Sequence, residues 1–374
     1  MAIYFDNSAT TKPCQASIIA TRKAIEECYG NPSSLHFLGI NANDELENAR
    51  KSVSDLLGCS ADNLYFSSSG TIANNEAIFG TYERLKRMGN TIVTTEVEHP
   101  SVLMPIKKLK ELFGVNVVYL SYDKYNAINE NELSNAITSD TILVSMMSVN
   151  NETGAILPVS KIHAAVKKAN APAIIHSDCI QAFGKLRFTP KTLKADLISI
   201  SSHKIHGPKG TGALYIKNKN KIKPQTLGGG QENGIFSGTE PMPSIMGFAA
   251  AAQNTPNIEE TYSYITSLKN KLLSNLGGCD KIVVNSPENA IPHIVNLSVL
   301  TKKSEPIVNY LSDKGICVSA GSACTKGKRS QTLISMGLSY DIIDSAIRIS
   351  FSRYNTIKEV DILSEELCSL AKRI

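Results

Sequence analysis

A lysine placed directly after an apolar run is the first residue here that suggests chemistry. The segment Asp196-Leu197-Ile198-Ser199-Ile200-Ser201-Ser202-His203-Lys204 leads into Ile205-His206-Gly207-Pro208-Lys209-Gly210. A solvated lysine does not belong behind a buried strand, whereas a desolvated amine becomes a nucleophile able to condense with an aldehyde. Other polar residues also follow β-branched or aromatic runs. After 63–67 comes Ser68-Ser69-Gly70-Thr71. Small residues at a helix start make either an anion cradle from free N–H groups or an ordinary cap. After 91–95 comes Glu98-His99-Pro100. That histidine suits stacking on a ring, proton transfer or capping. Asn150-Asn151-Glu152 follows 141–149, and Asp178 and Gln181 follow 173–177. A carboxylate at such a strand end either pairs with a protonated ring nitrogen or caps a helix.

Lys204 tips the balance. An anion cradle, a ring-facing histidine, a carboxylate and a Schiff-base amine are together the demands of pyridoxal 5'-phosphate. Each signal alone is weak, but their recurrence at successive strand ends is specific. His203 and His206 lack helical spacing and a third ligand, so no metal is expected.

The elements that must position these residues alternate. Apolar runs at 63–67, 91–95, 115–120, 141–149, 173–177 and 197–201 read as strands. Between them, 72–87, 101–113 and 158–169 read as helices. Residues 212–216, entered from a Gly-Pro-Lys-Gly turn, form a hairpin partner for 197–201. The expected class is α/β, a mostly parallel sheet between helices, with ligands at the strands' carboxyl ends. Beyond a polar hinge at 253–260 comes a long helix at 262–276, then short strands and helices that read as a smaller α+β domain.

Composition narrows the classes further. In 374 residues there are 39 Lys+Arg and 34 Asp+Glu, giving +5 without a basic stripe, so nucleic acid is not the expected ligand. The longest strongly apolar run is about eight residues, short of the ~20 that span a bilayer. No secretory leader is visible, and eight scattered cysteines suggest no disulfide framework, which fits a reducing cytoplasm.

Longer motifs carry a resemblance over nearly the whole chain. They are Tyr4 to Thr11, Gly30-Asn31-Pro32-Ser33-Ser34-Leu35-His36, Glu98-His99-Pro100-Ser101, Asn150-Asn151-Glu152, Asp178 and Ser202-His203-Lys204. Gly228-Gly229-Gly230-Gln231-Glu232, Ser237-Gly238-Thr239, Gly321-Ser322-Ala323-Cys324-Thr325 and Arg348 to Arg353 complete them. The chain resembles the cysteine desulfurases of nitrogen fixation and iron–sulfur cluster assembly. Those belong to the class V aminotransferase group of fold-type I pyridoxal-phosphate enzymes.

The resemblance implies a large cofactor-binding domain at 13–256 and a small domain from 1–12 with 257–374. It implies that Lys204 holds the cofactor and moves protons, Asp178 pairs with the ring nitrogen, and His99 stacks on the ring. Gln181 would reach the phenolic oxygen, with Asn151 beside it or on the substrate. Gly70, Thr71, Ser201 and His203 would hold the phosphate. Thr239 would reach the phosphate of a partner subunit, which implies a homodimer with shared active sites. Arg348 would clamp the carboxylate of L-cysteine. Cys324 would take its sulfur as a persulfide, leaving L-alanine, and pass it to an acceptor protein such as a cluster scaffold. Lys326, Lys328 and Arg329 follow Cys324, and nearby positive charge favours a thiolate.

Ile72, Phe236 and Ser148 stand where the family usually has glutamate, arginine and histidine. The segment after Cys324 is also a couple of residues shorter than in housekeeping members. Competing readings are a selenocysteine lyase, another class V enzyme, or a sulfur-relay scaffold acting through partner binding.

Overall fold

The computed structural model describes residues 2–122, 128–320 and 329–372. Its strands, in chain order, begin with β1 (Ile3–Tyr4), β2 (Leu64–Ser67), β3 (Thr91–Thr95) and β4 (Asn116–Leu120). There follow β5 (Thr141–Ser145), β6 (Ile174–Asp178), β7 (Leu197–Ser201), β8 (Gly212–Ile216) and β9 (Ile282–Val284). The last are β10 (Ile294–Val299), β11 (Ile316–Cys317), β12 (Ser319–Ala320) and β13 (Ala346–Ser350).

A seven-stranded sheet runs in the order β2-β8-β7-β6-β5-β3-β4. β8 alone runs opposite to the other six strands. Consecutive residues of each strand enter different cores. Phe66, Val93, Val144, Ile175 and Ile198 pack with the Phe37–Leu57 and Met242–Gln253 helices. Tyr65, Ile92, Leu143, Ile174 and Leu197 pack with Gly70–Leu85 and Pro100–Phe113. That two-residue period is why the runs look continuously apolar: both faces are covered.

The β5 ladder ends at Ser145, four residues before the apolar run does. Met146 N and Ser148 N still donate to His176 O and Asp178 O, at 3.1 and 2.9 Å, before the chain turns at Asn150. Strand β6 runs one residue further than the pattern suggests and carries Asp178.

A four-stranded antiparallel sheet, β12-β13-β10-β9, holds a third core with Ile258–Leu276 and Ile357–Lys372. Phe5 belongs to it, and β1 lies parallel to β11. Ile291, Ile294, Leu333 and Ala346 instead pack into the first core, so the late part of the chain is fused to the large sheet. Cysteine spacing gave no sign of one covalent link: Cys279 and Cys368, with Cα atoms 6.0 Å apart, form a disulfide. Among the described residues, no helix is long and apolar enough to cross a membrane.

A buried ion pair pins the glycine-rich stretch before Thr239. Arg50 Nη1 and Nη2 donate to Glu232 Oε2 and Oε1 at 2.7 and 2.9 Å. Phe66 N on β2 donates to Glu232 Oε2 as well. Glu232 and Asn233 take φ of 50° and 53°, a left-handed backbone that costs energy outside glycine and persists because this pair over-determines it. Arg50→Ala strands the Glu232 carboxylate in the interior. It should lower unfolding stability by about 3–5 kcal/mol, read as a fall in the urea midpoint.

Candidate active site

Lys204 closes the single 3-10 turn Ser202–Lys204 that follows β7. Its Nζ donates to Ser8 O, and to Ala9 O at 2.8 Å. Thr11 lays the N-terminal segment there, because its N and Oγ1 each donate to His203 O at 2.9 Å.

Asp178 is gripped on both oxygens. Oδ1 accepts from Ile180 N at 3.0 Å and Oδ2 from Asn74 Nδ2 at 2.7 Å. Asn74 Nδ2 also donates to Ser101 Oγ at 2.8 Å, and that hydroxyl lies 2.8 Å from His99 Nδ1. His99 caps the Pro100–Phe113 helix, Nδ1 accepting from Ser101 N at 3.1 Å. An accepting Nδ1 leaves the imidazole proton on Nε2. Burial, then Lys204, lowers the His99 pKa against the opposing pull of Asp178, so the ring is neutral.

Glu98 fixes the same turn from below. Its Oε1 accepts from Thr95 Oγ1 at 2.7 Å and Met147 N at 2.9 Å. Burial, with Asp178 adding, pushes its carboxyl up to about 8.

The start of the Gly70–Leu85 helix forms a cup. Ser69 Oγ caps Ile72 N, and the first-turn amides of Gly70 and Thr71 have no helical carbonyl to bond. Ser201 Oγ beside them is buried without a partner. A Cβ at Gly70 would lie 2.3 Å from Ile180 Cδ1, and one at Gly212 would lie 2.7 Å from Gly70 N. Only glycine allows β2, β7 and β8 to converge there. His203 Nδ1 lies 3.2 Å from Thr10 Oγ1, and burial, with Lys204 and Lys185 adding, pushes the ring down to about 4. A neutral imidazole remains a donor to an anion.

Arg348 enters from the smaller sheet. Nη1 donates to Asn151 O at 2.9 Å and Nη2 to Asp6 Oδ1 at 3.0 Å, while Nε is buried and unpartnered. Gln181 Nε2 donates to Ser8 O at 3.0 Å. The structure therefore gathers Lys204, Asp178, His99, Gln181, Asn151, Arg348, Gly70, Thr71, Ser201 and His203 around the strand ends. Thr239 is exposed, and among the described residues no hydrogen bond joins it to this group. Cys324 lies outside the described residues, but its flanks are held at the site. Ser319 pairs with Arg348 across β12 and β13, and Ser330 Oγ donates to Oε2 of the half-buried Glu152.

Asn74, Ser101, Asp6 and Glu98 also act in the site, although the strand-end rule does not select them as cofactor contacts. Asn74 had a readable signal: asparagine is a poor interior helix residue unless its amide has work to do.

Residues 3–363 match the family model described as aminotransferase class-V. The chain belongs to the class-V aminotransferase family. It is 40% identical over 366 residues to a NifS/IcsS protein homolog of Lactobacillus delbrueckii subsp. bulgaricus, covering 96% of this chain and 94% of that one. It is 37% identical to a cysteine desulfurase of Nostoc sp., covering 100% and 93%. A solved NifS-like protein superposes with a TM-score of 0.93 at 36% identity over 99% of both chains.

In this class-V member the unusual positions are absorbed locally. Ser148 Oγ bonds Ser177 Oγ and Cys179 Sγ at 2.8 and 2.9 Å, tying β5's extension to the end of β6. Phe236 is buried in the second core with Tyr65 and Ile235. Ile72 is exposed on the first helical turn, near the cup.

Proposed function

We propose that the protein is a cysteine desulfurase that uses pyridoxal 5'-phosphate. The observation that carries this reading is Lys204 Nζ, held at the Ser8 and Ala9 carbonyls beyond β7 and close enough to His99, which also feels Asp178, to act on its charge. The unpartnered Ser201 hydroxyl and the glycine-only cup fit a phosphate, and the doubly anchored Asp178 fits a protonated ring nitrogen. Bound pyridoxal phosphate supplies an aldehyde that captures amines and a ring that accepts the electron pair released at Cα.

Each residue then has a task. Lys204 is the amine that holds the cofactor and, once displaced by substrate, takes and returns the Cα proton. His99 covers the ring with its neutral imidazole. Arg348 exchanges Asp6 for the substrate carboxylate, with Asn151 alongside. Cys324 is the acceptor of sulfur. The Cβ–Sγ bond of L-cysteine breaks and an S–S bond forms on Cys324. The thiol proton balances as hydrogen on Cβ, so L-cysteine and thiol become L-alanine and persulfide with no outside oxidant.

Residues 13–256 form the cofactor-binding unit, and 1–12 with 257–374 the unit that brings Arg348 and Cys324. The protein works as a homodimer. Exposed Thr239, with no hydrogen bond to its own chain's site among the described residues, supports this. A sulfur-acceptor protein such as a cluster scaffold takes the persulfide.

Purified protein given L-cysteine and a thiol reductant should release alanine and sulfide in equal amounts. Pyruvate with ammonia, or sulfide without alanine, would refute the assignment.

A further inference from the structure

One basic group beside the site has no task in this account. Lys185 Nζ donates to Gln181 Oε1 at 2.9 Å. Gln181 Nε2 donates to Ser8 O, the carbonyl that also accepts from Lys204. Lys185 is partly buried, and it lines a cavity of about 40 Å³ with Lys204, His206, His293 and Arg353. The groups facing it are the cations Lys204 and Arg348 and the imidazoles of His203, His206 and His293. Among the described residues no carboxylate pairs with it. Burial, followed by Lys204 and Arg348, pushes its amine down to about 7. A methionine would fill the same volume without that cost, so packing alone does not account for a lysine here.

What the amine adds is direction. Ser8 O can only accept, so the Gln181 atom facing it is the amide nitrogen, and Lys185 is left to donate to the amide oxygen on the other side. The Gln181 amide is thereby clamped at both ends, Oε1 by Lys185 and one N–H by Ser8 O. One N–H is left over. We infer that Lys185 is a positioning residue that fixes the Gln181 amide so that it offers this N–H, and not its oxygen, to the anionic ring oxygen of the cofactor. The inference rests on the pyridoxal-phosphate reading above.

The test uses holoprotein variants Lys185→Met, Lys185→Arg and Gln181→Leu. The readout is the pH midpoint at which the visible band of the bound cofactor changes. A donor on the ring oxygen favours proton loss from the neighbouring linkage to Lys204. Lys185→Met should therefore move the midpoint up by about one pH unit, the scale of one charge-assisted hydrogen bond. Lys185→Arg should restore most of it. Gln181→Leu should shift the midpoint the same way, and Lys185→Met should add nothing in that background, because both act on one oxygen.

A midpoint unmoved by Lys185→Met, with the band intact, would overturn the inference. So would full additivity in the double variant. A merely structural lysine would change the melting temperature and leave the midpoint alone. Should Lys185→Met not fold, Lys185→Gln, able to present an oxygen to Gln181, must produce the same upward shift. Wild-type protein with no visible band at all would instead remove the cofactor reading, and this inference with it.

Discussion

Lys204→Ala should leave a folded protein whose release of alanine and sulfide from L-cysteine has fallen by at least about 10⁴-fold. Two losses combine in that number. The amine that holds the cofactor disappears, and so does the base that must move the Cα proton. The fold should survive the loss of hydrogen bonds such as those to Ser8 O and Ala9 O. Thr11 still ties the N-terminal segment to His203 O. Borohydride reduction of wild-type protein should fix the cofactor on the peptide containing Lys204, and the variant should yield no such peptide. Activity within tenfold of wild type would end the assignment of Lys204 as the covalent anchor.

Cys324→Ser should separate cofactor chemistry from sulfur transfer. The variant should bind cofactor and respond spectrally to L-cysteine like wild type, since the residues that build the cup and hold the ring are untouched. Alanine and sulfide production should fall by about 10³-fold or more, in the range seen when a nucleophile is removed. Alkylation after incubation with L-cysteine should find no persulfide. Other thiols are poor substitutes. Cys279 and Cys368 are joined to each other. Burial raises Cys59 and Cys179 to about 12, and the Cys28 thiol upward as well. Cys179 is instructive, because it follows Asp178 directly yet sits where a thiolate cannot form at neutral pH. Persulfide mapped to any of these in wild-type protein would refute the role given to Cys324.

The strands and their polar ends were legible because both signals are local. Alternating burial on two faces leaves apolar runs, and residues that interrupt them stand at the sheet's carboxyl edge. Lys204, Asp178, His99 and the Ser69-Gly70-Thr71 turn are all found this way. Run length was less reliable at 141–149, where only five residues form the ladder and the rest bend toward Asn150.

By itself the sequence determined the α/β class, the strand-end residues and, through its motifs, the family. Tertiary structure alone decided their partners. Asn74 meets Asp178 across 104 residues, Arg348 meets Asp6 across 342, and Arg50 meets Glu232 across 182. Periodicity reports which face a side chain takes within its own element. The strand order β2-β8-β7-β6-β5-β3-β4 determines which faces meet, and packing selects that order. Lys185 shows the difference plainly. In the chain it is an ordinary lysine four residues past Gln181; in the fold it is an amine with cations on every charged side and one amide oxygen to hold.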